Sequence, residues 1–69
     1  MNTDLHFIRV EDRRVKLEPQ TPQGMVWLQT HFPEEDWEPL CAGEATLSSR
    51  DTFSLITDAM AAGLVVFYP

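Results

Sequence analysis

Leu5-His6-Phe7-Ile8-Arg9-Val10-Glu11-Asp12-Arg13-Arg14-Val15-Lys16-Leu17-Glu18 is the stretch on which the fold of this chain turns. Two runs, Leu5 to Val10 and Arg13 to Glu18, flank Glu11-Asp12, and this predicts a β-hairpin with those two residues as its loop. With that loop Ile8 faces Val15, His6 faces Leu17 and Val10 faces Arg13 on one side. Leu5, Phe7, Arg9, Arg14 and Lys16 take the other. The first set is expected to face the core, because both of its strand centres are β-branched. A loop longer or shorter by one residue would change which residues face each other.

Downstream, Thr21-Pro22 starts a helix. Threonine caps the first free N–H groups and proline suits the first helical position. Met25, Leu28 and Phe32 recur at helical spacing, with Trp27 and His31 four apart on an adjacent face. Pro33 ends this helix. Pro33 to Gly43 is the least regular stretch, with room for one helical turn whose N-terminus the acids favour. Glu44 to Leu47 reads as a short strand. Ser48-Ser49-Arg50-Asp51 matches a capping box. It opens a second helix with Phe53, Ile56 and Met60 as the inward stripe and Leu55, Ala59 and Ala62 beside it. Gly63 stands where a left-handed terminator belongs.

Leu64 to Tyr68 is an almost wholly apolar strand, expected at the centre of the sheet. Pro69, unable to donate a ladder hydrogen bond, would block its extension. The order β-β-α-β-α-β predicts one α+β domain over residues 1–69, a mostly antiparallel sheet of about four strands with two helices on one face. Its core is expected to hold Ile8, Val15, Leu17, Met25, Leu28, Phe32, Phe53, Ile56, Met60, Val65 and Phe67.

Composition narrows the function. The chain has 69 residues, with 5 Lys+Arg against 11 Asp+Glu and a formal net charge of -6. That length suits one domain and leaves no room for a large cofactor beside a core. The acidic balance argues against a general nucleic-acid binder, which needs a basic surface. Apolar residues at 43% are too many for a disordered chain. Cys41 is the only cysteine, so no internal disulfide forms and a reducing compartment fits best. No charged and then apolar leader pattern opens the chain, and the apolar run from Ala59 to Tyr68 is too short for a bilayer. A cytoplasmic location without a membrane partner is therefore expected.

The charge is unevenly spread. Arg9, Arg13, Arg14 and Lys16 balance Asp4, Glu11, Asp12 and Glu18 in the first twenty residues. Beyond them only Arg50 stands against seven acids, five of which fall between Glu34 and Glu44. A field so focused steers a basic partner. The candidate partner-binding residues are Glu34, Glu35, Asp36, Glu38 and Glu44 for charge and Trp37 as the apolar anchor. The alternative is a solvated loop with Trp37 folded back as a lid on the core.

Other chemistries find less support. Phe7 amid Arg9, Arg14 and Lys16 has the look of a base-stacking surface, but four bases on an acidic protein are thin. His6, His31 and Cys41 stand at no ligand spacing, so no metal or other cofactor is expected. No nucleophile-and-base pairing, glycine-rich phosphate loop or nucleotide fingerprint is present, which argues against an enzyme. Cys41 reads as a small buried apolar residue.

The small size, the β-β-α-β-α-β order, the Trp27-Leu28 pair and the closing run Ala61-Ala62-Gly63-Leu64-Val65-Val66 resemble the short acidic counter-defence proteins of phages and plasmids, of the anti-CRISPR kind. Those proteins share no fold or motif, so the resemblance carries over no binding residue. It implies an inhibitor that occupies a surface nucleic acid would otherwise use. The expected function is a non-enzymatic protein-binding module, docking its acidic surface on a basic groove of a larger, nucleic-acid-handling complex. The alternative is a homodimeric structural or regulatory module joined through a sheet edge or the Trp27/His31 face.

Overall fold

The computed structural model describes residues 2–68. Pro69, and with it the expected block to strand extension, lies outside them. The elements run β1 (Leu5–Glu11), β2 (Arg14–Pro19), α1 (Pro22–His31), a 3-10 turn (Glu34–Asp36), α2 (Trp37–Cys41), β3 (Thr46–Ser48), α3 (Ser49–Ala61) and β4 (Val66–Phe67). The sheet order is β3-β2-β1-β4. Both β1–β2 and β2–β3 are antiparallel, and β4 joins β1 in parallel. The α+β architecture is the expected one, with a mixed sheet and a third, short helix. Leu40 on that short helix is buried, which explains why the irregular stretch folds against the core.

The hairpin register differs from expectation. β1 runs one residue further and the turn falls at Asp12-Arg13. Ile8 pairs with Lys16, Phe7 with Leu17 and Arg9 with Val15, and the register shifts between Arg9 and Glu11, leaving Val10 unpaired as a bulge. The side-chain period of a strand is two, so the shift exchanges the faces of β1. Leu5 and Phe7 enter the core beside Val15 and Leu17, while Ile8 and His6 move to the uncovered face. Arg9 and Arg14 are not opposite each other. Arg9 donates to Tyr68 Oη at 3.3 Å, which pushes its guanidinium pKa further up.

The helix caps form as the residues dictate. Thr21 Oγ1 accepts from the Gly24 N–H at 3.0 Å. Phe32, before Pro33, is extended and closes α1. Ser48 Oγ accepts from the Asp51 N–H at 3.1 Å. Gly63, at φ 86, terminates α3. The Leu64 N–H reaches back to the Ala59 carbonyl, and the Gly63 N–H to that of Met60. That is the Schellman arrangement, with Leu64 and Ala59 as its buried apolar pair. Gly43 does the same for α2, at φ 73, with Glu44 N–H on the Pro39 carbonyl.

These caps set the rotation of α3, and with it a second difference. Ser48 is both the last residue of β3 and the cap of α3, so the helix leaves the sheet in a set phase. Thr52 and Ala59 face inward, Thr52 donating to the Ser48 carbonyl at 2.8 Å. Leu55 and Ile56 are half-buried, whereas Phe53 is 74% and Met60 63% exposed. Ala59 is fully buried, and a small side chain there permits close approach to the sheet.

The third difference is β4. It is an edge strand of two residues rather than a central one. Because β2 already pairs with β1 and β3, the chain emerging from α3 can join the sheet only at an outer edge, and it takes that of β1. Leu64 is buried, Phe67 sits against His6 with ring centroids 5.0 Å apart, and both Phe67 and Tyr68 are exposed.

Asp4 joins the two ends of this fold. Its Oδ1 accepts from the Thr21 hydroxyl at 2.6 Å and its Oδ2 from the Val65 N–H at 2.9 Å. Its backbone N–H donates to the Val65 carbonyl and its carbonyl accepts from the Gln20 N–H, each at 2.8 Å. Hydrogen bonds from Thr21 and Val65 hold the carboxyl below its usual value of 3.8. Gly24 is buried directly against the Asp4 carbonyl, where any Cβ would collide with backbone.

Two predictions follow from this node. Gly24→Ala improves helix propensity yet lowers stability by about 1–3 kcal/mol, the usual range for overpacking, read as a lower urea midpoint. For Asp4 the native carboxyl binds its proton less readily than the unfolded one. Its stabilisation is therefore complete above pH 3.8 and fades as the pH falls through the lowered native value. Asp4→Asn should unfold at a lower temperature than wild type at pH 6, with the gap closing in strong acid.

Candidate functional site

The acidic segment is built by Pro33 and by the turn that follows it. Pro33 is extended, and the chain then winds through Glu34–Asp36 straight into α2, with the Asp36 N–H on the Pro33 carbonyl at 2.9 Å. Carboxylates crowd a helix N-terminus here, where the backbone dipoles favour them. Glu34, Glu35 and Glu38 are exposed; Asp36 is half-buried, lining a depression with Phe32, Pro39 and Leu47. Glu44 is exposed too, but it follows the Gly43 turn at the other end of α2. The structure thus brings four of the five acids together and sets Glu44 apart. Among the described residues the one ion pair is Lys16 with Glu18 at 3.3 Å, so none of the five acids is ion-paired there.

Trp37 is a half-buried wall. Its indole N–H donates to the Phe32 carbonyl at 2.9 Å and its ring packs on the periphery of the core. Trp37 and Glu38, with Cys41 and Ala42, form one side of a groove of about 470 Å³ whose other side is Met25 and Gln29 of α1. The groove was not readable in the sequence, because its two sides are contributed by helices whose relative placement no local pattern encodes. Cys41, expected in the core, is exposed. Leu40 takes the inward position on the short α2, and its neighbour is turned out.

The remaining candidates are dispersed. Phe7 is fully buried, which removes the aromatic from the expected base-stacking surface. His6 is on the uncovered sheet face beside Phe67. His31 stacks on Trp27 with centroids 3.9 Å apart and its Nδ1 lies 3.0 Å from the Trp27 carbonyl. Among the described residues no three of His, Cys, Asp or Glu converge on one point, and no helix is long and apolar enough to cross a membrane.

Fold and site together define a small acidic α+β domain with an open apolar groove beside exposed carboxylates. Residues 7–68 match the family model of the cyanobacterial NIF11-like domain, and the chain belongs to that family. No curated protein and no solved structure matches it. The family match corrects the resemblance to counter-defence proteins of the anti-CRISPR kind. It spans almost the whole chain, whereas that resemblance rested on size, element order and two short runs that many proteins share.

The placement of Cys41 is directly testable. A thiol reagent should modify it in the folded protein at a rate comparable to that of the urea-unfolded chain. A buried thiol would instead be protected by orders of magnitude.

Proposed function

We propose that this domain is a non-enzymatic protein-binding module that docks its acidic segment on a basic surface of another protein and acts by occupying it. The supporting observation is the cluster of exposed Glu34, Glu35 and Glu38, none of which forms an ion pair among the described residues. Three carboxylates on one turn repel one another, and a partner's Lys or Arg side chains relieve that repulsion. Asp36, half-buried at the start of α2, contributes field more than contact. Glu44 is a secondary contact at most, given its place beyond Gly43. With the counter-defence resemblance withdrawn, a nucleic-acid-handling target has no separate support, and the partner is defined by its basic surface alone.

A second reading is self-association. Both sheet edges, β3 and β4, are open, and Phe53, Met60 and Phe67 are exposed. Open edges and exposed apolar side chains are the usual material of a dimer interface.

The experiment is a pull-down from a lysate of the source cell, comparing wild type with Glu34/Glu35/Glu38→Lys under low- and high-salt washes. The docking reading expects one protein held by wild type, released by salt and absent from the variant. Equal capture by both baits sinks it. Sedimentation of wild type covers the second reading, for which a concentration-dependent dimer lost on Phe67→Ser or Met60→Ser is the expected result.

A further inference from the structure

We infer that the groove between α1 and α2 is a socket for an apolar side chain presented by a basic segment of the partner, an inference that deepens the docking reading and rests on it. On sequence alone Trp37 reads either as an anchor that would insert into a partner or as a lid folded back on the core. The structure agrees with the lid. Its indole N–H is committed to the Phe32 carbonyl and its ring is packed against the core, so swinging Trp37 out costs a part-buried hydrogen bond and its packing. It is a rigid wall of a receptor surface, and the anchor has to come from the other molecule.

The lining specifies that anchor. Met25, Trp37 and Ala42 offer apolar surface, and Met25 is a flexible side chain that adapts to different shapes. The space, about 470 Å³ and open to solvent, admits an aliphatic or aromatic side chain from outside. Its polar margin is Gln29 and Glu38, and Glu34 and Glu35 lie on the turn that leads into α2. Closing the groove removes water from the Glu38 carboxylate at its margin. That is costly unless the incoming segment carries cations beside its apolar residue. An acidic or neutral flank would leave Glu38 desolvated and unpaired. The occupant is therefore a segment with one apolar side chain flanked by Lys or Arg. An apolar centre with a charged rim is the usual anatomy of an energetically dominant contact. Because the wall is already ordered, little conformational freedom is lost on binding.

The test uses the full chain and two synthetic peptides, a lysine-rich decapeptide with one central leucine and the same peptide with serine there. Binding is measured by calorimetry at low and high salt, and Cys41 alkylation by iodoacetamide reports occupancy of the groove. The leucine peptide should bind about ten-fold tighter or more, the lower end of what burying one leucine provides, and should slow alkylation of Cys41. Ala42→Lys, at an exposed position of the groove wall, should erase the preference without shifting the thermal midpoint. Val26→Lys, exposed on α1 outside the groove, should keep it. Equal, salt-sensitive binding of both peptides with Cys41 unprotected overturns the socket and leaves the acidic docking reading standing. Binding of neither overturns both.

Discussion

The carboxylate of Asp4 is the contact on which the rest of the structure depends. It stands where the chain enters β1, and it holds the first turn of α1 through Thr21 and the approach to β4 through Val65. Remove it and two segments that are forty-four residues apart in sequence lose their common tie. β4 has only two ladder residues, so the Asp4–Val65 pair of hydrogen bonds supplies much of what keeps that edge in place. A short domain buries only roughly 60% of the surface of its unfolded chain, so a single well-made polar node weighs more here than in a larger protein. Gly24 completes the node from the opposite side by letting the helix backbone reach the Asp4 carbonyl.

A related economy governs α3. Ser48 ends a strand and begins a helix with no residue between them, and Leu64 closes the same helix by folding back on Ala59. Two caps define the phase, and the phase decides which side chains are buried. Thr52 and Ala59 go in, although neither is the most apolar residue available. Phe53 and Met60 stay in solvent because burying them would turn the helix away from both caps. The backbone's requirement for satisfied terminal groups outweighs the gain from burying two larger side chains.

Trp37 illustrates how tertiary packing changes the meaning of a residue. In the sequence it stands among carboxylates and reads either as a protruding anchor or as a lid on the core. In the fold its one hydrogen-bond donor is satisfied by Phe32, and it faces Met25 across a groove. The acids around it keep their negative field, because charge acts over several ångströms and depends little on side-chain orientation. The same molecule therefore combines a long-range electrostatic feature set by composition with a short-range apolar groove set by packing.

What the sequence determined by itself was local. Thr21-Pro22, Pro33, Ser48 and Gly63 each mark a helix boundary through hydrogen bonding or backbone geometry that a residue carries with it. The α+β class and the acidic stretch from Glu34 to Glu44 follow from patterns of the same kind. The tertiary structure decided the rest. A bulge at Val10 exchanged the faces of β1, putting Leu5 and Phe7 into the core in place of Ile8, because a strand's two faces differ by one residue of register. The apolar closing run became an edge because only one side of β1 was unoccupied. Asp4, the groove and the exposure of Cys41 all depend on contacts between segments distant in sequence. No local propensity encodes such contacts, since they exist only once the chain has closed on itself.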